Sequence, residues 1–115
     1  MQKTYKIHND SGHGWLEVPL ADVMLVGLTP DSFSRYSRVH VTDLYIPMMY
    51  LEEDLDLPIF LLAAKRKGID VQTRDVYVDG DSFVRSYSTN TAGREFTGAE
   101  LRDLMQAFEE ELRVA

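Results

Sequence analysis

A cluster of turn-forming residues at positions 9–14 separates two short segments with the pattern of β-strands. Before it, residues 4–8 alternate between apolar and polar side chains, which is the period of a half-buried strand. After it, residues 15–18 repeat the alternation, with Leu16 and Val18 on the same side. Asn, Asp, Ser and two glycines in the intervening loop are typical of turns. The sequence therefore predicts an N-terminal β-hairpin.

Similar patterns predict the remaining elements. Further strands are predicted at residues 35–42, 44–51, 71–78 and 82–87, the last two joined as a hairpin by the favoured turn pair Asp79-Gly80. Helices are predicted at residues 19–26, 56–67 and 97–112, the last preceded by the capping box Thr97-Gly98-Ala99-Glu100. The elements thus follow in the order ββα three times. This order predicts an α+β fold with a mainly antiparallel sheet of hairpins and three helices.

Two residues refine this prediction. Pro47 lacks a backbone N–H, so the strand at 44–51 is expected at a sheet edge or at a bulge. The apolar stretch at 45–51 is unusual for an edge, and we expect another element or a second copy of the chain, in a homodimer, to cover it. Asp56 is expected to be the N-cap of the second helix.

The chain length of 115 residues fits one domain. We assign residues 1–88 to an α+β core, and residues 89–115 to a linker and an amphipathic helix that packs on or extends the same domain. The chain has no cysteine, which excludes disulfides and thiolate metal sites. We expect neither a signal peptide nor a membrane span, because no apolar segment of the required length is present.

The formal net charge of −7 is unevenly distributed, with −1 over residues 1–50 and −6 over residues 51–115. A net negative domain repels phosphate backbones, so we expect no direct binding of nucleic acid. The acidic run that includes Glu52, Glu53 and Asp54 lacks the spacing of an EF-hand, and we interpret it as anions at a helix N-terminus. Together with Glu109 and Glu110 it is also a candidate surface for a basic partner.

The loop offers a second candidate site. His8, Asp10 and His13 are residue types that bind zinc and activate water, although their spacing matches no helical metal motif. The alternative is a tight turn in which Asp10 bonds to backbone amides. Trp15 is predicted on the face opposite Leu16. There it is either an exposed binding hot spot, or packed under the loop or against the C-terminal helix.

Several motifs resemble a family of small uncharacterised proteins of bacteriophages, prophages and plasmids. They are IHNDSGHGWLEV at residues 7–18, SRYS at 34–37, YLEED at 50–54 and DGDSFVR at 79–85. The resemblance covers about residues 4–87, and residues 88–115 look like an extension beyond the matched region. It implies an accessory protein of a mobile element in a bacterial cytoplasm. It implies no activity, and hence no functional residues.

These observations favour a small, acidic, non-catalytic binding protein. We expect it to modulate or inhibit a host system, such as a CRISPR or restriction complex with a basic groove, through protein–protein contacts and without a cofactor. The alternative is a small metal-dependent enzyme that uses His8, Asp10 and His13.

Overall fold

The predicted N-terminal hairpin is present in the computed structural model of the chain. Strand β1 (Gln2–Asn9) pairs antiparallel with strand β2 (Gly14–Pro19), with His8 directly opposite Trp15. The described residues are 1–93 and, beyond them, three exposed helical positions: Asp103, Gln106 and Glu110. Apart from those three positions, the helix predicted at 97–112, its capping box and Glu109 lie outside the described residues.

The remaining described elements follow in chain order. They are α1 (Leu20–Leu25), β3 (Arg38–Val41), β4 (Pro47–Glu52), α2 (Asp56–Arg66), β5 (Asp70–Tyr77) and β6 (Ser88–Thr89), with short 3-10 turns at Pro30–Ser32 and Phe83–Ser86. Within residues 1–93, no helix is long and apolar enough to cross a bilayer.

The six strands form one mixed sheet in the order β5-β1-β2-β4-β3-β6. All neighbours are antiparallel except β1 and β5, which run parallel over their full length. The parallel pair results from the crossover through α2, which carries the chain from β4, past β2 and β1, to the far edge of the sheet.

One face of the sheet packs against the two helices. The buried side chains on this face come from alternate positions of β1, β2 and β4, as the period of a strand requires. They are Tyr5, Leu16, Val18, Met49 and Leu51, packed with Val23 and Val26 and with Phe60 and Ala64 of α2. The rings of Tyr5 and Phe60 meet edge to face, with centroids 5.6 Å apart. This face is the main hydrophobic core.

The opposite face is covered by residues 82–87, which we call the strap. Val84 of the strap is fully buried and packs with Trp15 and Tyr50 in a second, smaller core. Arg38, from β3, holds the strap in place by donating from Nη1 to the carbonyls of Arg85 and Tyr87, at 3.3 and 3.1 Å. The middle of the sheet, at β2 and β4, is therefore covered on both faces.

The strap shows that the predicted order of three ββα units is wrong. Residues 82–87 form a 3-10 turn instead of a strand, and the described chain contains a six-stranded mixed sheet with two helices, one of which has only six residues. Gly80 does adopt the positive φ of a turn, at 79°. The Ser82 hydroxyl then accepts the N–H of Val84, which starts the 3-10 turn, and β5 pairs with β1 instead.

The expectation that Pro47 marks an edge strand is also wrong. β4 lies between β2 and β3 in the sheet. Pro47 is the first residue of β4, one of the positions where a strand tolerates a missing N–H. Residues 49–52 are buried within this chain, so they need no second copy to cover them.

Asp56 serves a different purpose from the predicted N-cap. It is the first residue of α2, and its carboxylate is fully buried. The carboxylate accepts the backbone N–H of Ser34 at 2.9 Å and the hydroxyls of Ser34 and Ser37. Its burial raises the pKa of Asp56, and these hydrogen bonds oppose the shift. Asp56 thus anchors the turn before β3 to the start of α2.

We expect Asp56→Ala to lower the free energy of unfolding by about 2–4 kcal/mol, because it leaves buried donors of Ser34 and Ser37 without acceptors. Urea denaturation followed by circular dichroism measures the change. Asp43→Ala makes the same chemical change at an exposed position and is the matched control. Equal losses in the two variants would contradict the anchoring function.

Candidate functional site

The Asp10 carboxylate organises the loop between β1 and β2. Its Oδ1 accepts the backbone N–H groups of Gly12 and His13, both at 2.9 Å. The N–H of Asp10 in turn donates to the carbonyl of His13 at 2.9 Å. The loop is therefore the tight turn that its composition indicates.

Asp10 also ties this loop to the strap, 75 residues further along the chain. Arg85 donates to both of its oxygens, from Nε at 2.6 Å and from Nη2 at 3.0 Å, and the N–H of Ser82 adds a bond of 3.0 Å. The guanidinium and the amide donors hold the pKa of Asp10 well below its usual range. The sequence gives no sign of this function of Arg85, because nothing local connects it with Asp10.

The three residues of the predicted loop site have separate surroundings. His8 is buried, with Nε2 3.4 Å from the Glu17 carboxylate and its ring 4.9 Å from that of Phe83. His13 is exposed, with its ring 5.8 Å from that of Trp15. Within the described part of the chain, no three His, Asp or Glu side chains are grouped to hold a metal ion.

A cavity of about 420 Å³ opens beside the loop, and we call it the pocket. Four predicted site residues contribute to its wall, together with three arginines that are not among the predicted site residues. They are His13, Trp15, Glu52 and Asp54, with Arg35, Arg38 and Arg85. The pocket therefore joins the loop, the acidic run and the strap.

Trp15 is 3% exposed, so its interpretation as an exposed hot spot is wrong. Its predicted face is correct, since it pairs with His8 and lies opposite the core face of Leu16. The strap buries it, and the Arg85 guanidinium carbon lies 5.3 Å from the centre of the indole ring. Trp15 thus forms part of the pocket wall.

Two buried donors at the pocket have no hydrogen-bond partner. They are the indole Nε1 of Trp15 and Nε of Arg38. Arg38 donates from Nη1 to two backbone carbonyls, but no carboxylate among the described residues forms an ion pair with it. Most buried polar groups are hydrogen-bonded, so two orphan donors at one cavity are a feature that needs an explanation.

The acidic run divides into a buried and an exposed part. Glu52 is 8% exposed and accepts the N–H groups of Asp54 and Leu55 just before α2, which agrees with anions at a helix N-terminus. Burial raises the pKa of Glu52 to about 7. Glu53 and Asp54 are exposed, and the Glu53 N–H donates to the Gly14 carbonyl of the loop.

The end of the β3–β4 hairpin, residues 41–46, is a second candidate surface, which we call the tip. Leu44 and Tyr45 are 81% and 88% exposed there. Tyr45 has a φ of 60°, a strained conformation for a residue other than glycine. Hydrogen bonds maintain it, because Thr42 accepts the N–H of Tyr45 at 2.8 Å and the N–H of Ile46 at 3.1 Å. The apolar run Leu44-Tyr45-Ile46 was the available sequence signal, which we assigned to a strand.

Comparison of the chain with known proteins finds no matching protein family, no matching curated protein and no matching solved structure. We therefore infer the function from the geometry of the pocket and the tip.

We expect Asp10→Asn to lower the melting temperature clearly, because it removes the charge that Arg85 pairs with and one acceptor of the loop amides. Asp81→Asn is the matched control, since Asp81 is 88% exposed and lies 3.7 Å from the same guanidinium. Because the pKa of Asp10 is lowered on folding, its stabilisation is present above about pH 4 and is lost as the pH falls further. Thermal melts of both variants at neutral and acidic pH measure this, and a control loss as large as that of Asp10→Asn would refute it.

The raised pKa of Glu52 gives stability the opposite pH dependence. Its pKa rises from 4.5 to about 7 on folding, so the folded state binds the extra proton and stability falls as the pH rises through this window. Glu52→Gln removes the buried charge, and we expect the variant to be more stable than the wild type by about 1–3 kcal/mol at pH 8. The difference should shrink at pH 5. Urea denaturation at both pH values tests it, and a difference independent of pH would rule the charge out as the cause.

Proposed function

We propose that this chain is a non-catalytic binding protein that docks onto a protein partner through the tip. The observation that carries the proposal is the pair Leu44 and Tyr45, which are more than four-fifths exposed side by side. Val41 and Ile46, on either side, are 56% and 46% exposed. Adjacent exposed apolar side chains, with an aromatic at the centre, are the composition of a contact that a partner completes.

The rigidity of the tip supports the same proposal. β3 and β4 pair directly below it, from Val41 opposite Pro47 to Arg38 opposite Tyr50. Above this ladder, the N–H of Thr42 donates to the carbonyl of Ile46, and the N–H of Ile46 donates to the Thr42 hydroxyl. Tyr45 is held between them at positive φ. A partner therefore meets a backbone that is already ordered, so less conformational entropy is lost on binding than for a disordered loop.

The charge of the chain favours a basic partner. The net charge is −7, and Asp43 places a carboxylate within the tip itself. Glu53 and Asp54 add exposed carboxylates elsewhere on the surface. Complementary charge accelerates encounter and suppresses acidic partners. The proposed partner is accordingly a host protein or complex with a basic groove, such as a CRISPR or restriction complex.

The resemblance of residues 7–18, 50–54 and 79–85 to proteins of mobile elements supports this context. The proposed place of action is the bacterial cytoplasm, where a mobile-element protein meets host defence complexes. Docking through the tip makes no use of the buried His8 or of Asp10, which is bound to Arg85.

We expect the double variant Leu44→Ser/Tyr45→Gly to lose the partner while keeping its fold, because glycine adopts the positive φ of Tyr45 without strain. Capture from a bacterial lysate identifies the partner, and titration of the purified partner should then show at least about a tenfold loss of affinity. Tyr77→Ser, at a residue 62% exposed outside the tip, is the matched control.

Undiminished affinity in the double variant would refute docking through the tip. Light scattering of the wild type provides a second check, because a dimer that the same double variant dissociates would show that the tip binds another copy of the chain. Affinity for the partner should fall as salt is added, and an affinity independent of salt would argue against a basic groove.

A further inference from the structure

We infer that the pocket beside Trp15 is a binding site for a small organic carboxylate. The pocket has about 420 Å³, within the range of sites that enclose small molecules. None of the tip residues 41–46 contributes to its wall. The inference therefore goes beyond the proposed docking of a protein and can fail or succeed independently of it.

The indole N–H of Trp15 is a donor without an acceptor. Trp15 is 97% buried, and its Nε1 has no hydrogen-bond partner. A buried donor without an acceptor costs free energy that a folded chain normally avoids. Trp15 is part of the pocket wall, so a ligand bound there can supply the acceptor once neighbouring side chains move slightly to expose Nε1.

The positive charge of Arg38 has no anionic partner among the described residues. Its side chain is half-buried, its Nε lacks a partner, and Nη1 donates only to neutral carbonyls. The neighbouring Arg85 differs, because Asp10 neutralises it. A cation that is partly withdrawn from water gains from pairing with an anion, and within the described chain Arg38 has no such partner. An anionic ligand would pair its charge.

The pocket wall favours a carboxylate over a phosphate. A carboxylate has two acceptor oxygens and a negative charge, which suit both an indole N–H and the guanidinium of Arg38. Glu52 and Asp54 also contribute to the wall, and their carboxyl groups oppose a doubly charged phosphate more strongly than a single carboxylate. The indole ring and Leu55 offer apolar contact to the body of the ligand. These features together favour a monocarboxylate with an apolar or aromatic body.

Trp15 is the only tryptophan of the chain, so its indole N–H gives a single, unambiguous signal in a ¹H–¹⁵N correlation spectrum. We expect benzoate to move this signal downfield in a saturable way, as the N–H gains a charged acceptor. Benzamide has nearly the same shape without the charge and should bind much more weakly. Inorganic phosphate tests the alternative anion.

An indole signal that benzoate leaves in place would overturn the inference. So would an equal response to benzamide, which would show a merely apolar cavity, or a response to phosphate at lower concentration than to benzoate. The tip variant Leu44→Ser/Tyr45→Gly should bind benzoate like the wild type, and this result separates the pocket from protein docking.

Trp15→Phe keeps an aromatic ring but removes the indole donor together with one ring of the side chain, so we expect about a tenfold weaker affinity for benzoate by calorimetry. Arg38→Lys is the second variant if Trp15→Phe does not fold. It removes the orphan Nε–H together with the Nη1 bonds to the strap. Affinity equal to that of the wild type in a folded form of either variant would overturn the assigned donors.

Discussion

The carboxylate of Asp10 connects the parts of the chain on which the rest of the structure depends. It accepts hydrogen bonds from the amides of Gly12 and His13 in the loop, from the amide of Ser82, and twice from Arg85. A charge-assisted, bidentate pair of this kind is among the stronger polar interactions in proteins. It fixes the strap across the sheet, and the strap then buries Trp15 and completes the wall of the pocket.

The same interaction explains why a plausible local structure does not form. Residues 82–87 could have continued from the Asp79-Gly80 turn as a strand beside β5, with a gain of ladder hydrogen bonds. In the folded chain they instead bury Val84 against Trp15 and Tyr50 and pair Arg85 with Asp10. These long-range contacts cover a sheet face that would otherwise expose aromatic side chains. Tertiary packing therefore overrides the local preference for a hairpin.

The two candidate surfaces follow from this architecture in different ways. The tip is a local structure, since it depends on the β3–β4 ladder and on hydrogen bonds within residues 42–46. The pocket is a tertiary structure, because its wall combines the loop, β3, the acidic run and the strap. Arg38 connects the two surfaces, as it lies at the base of the hairpin that carries the tip and also contributes to the pocket wall. The proposed protein contact and the proposed small-ligand site are thus built on one sheet.

What the sequence by itself determined are the features with a local cause. Alternation placed Trp15 opposite Leu16, turn chemistry identified the loop around Asp10, and helical spacing located α1 and α2. The features with a long-range cause were decided only by the tertiary structure. The parallel pairing of β5 with β1 and the burial of Asp56 under Ser34 depend on contacts distant in sequence. The pairing of Asp10 with Arg85 depends on such a contact too, and the pocket forms around it, because side chains 75 residues apart acquire a common position only when the sheet and its two covers are assembled.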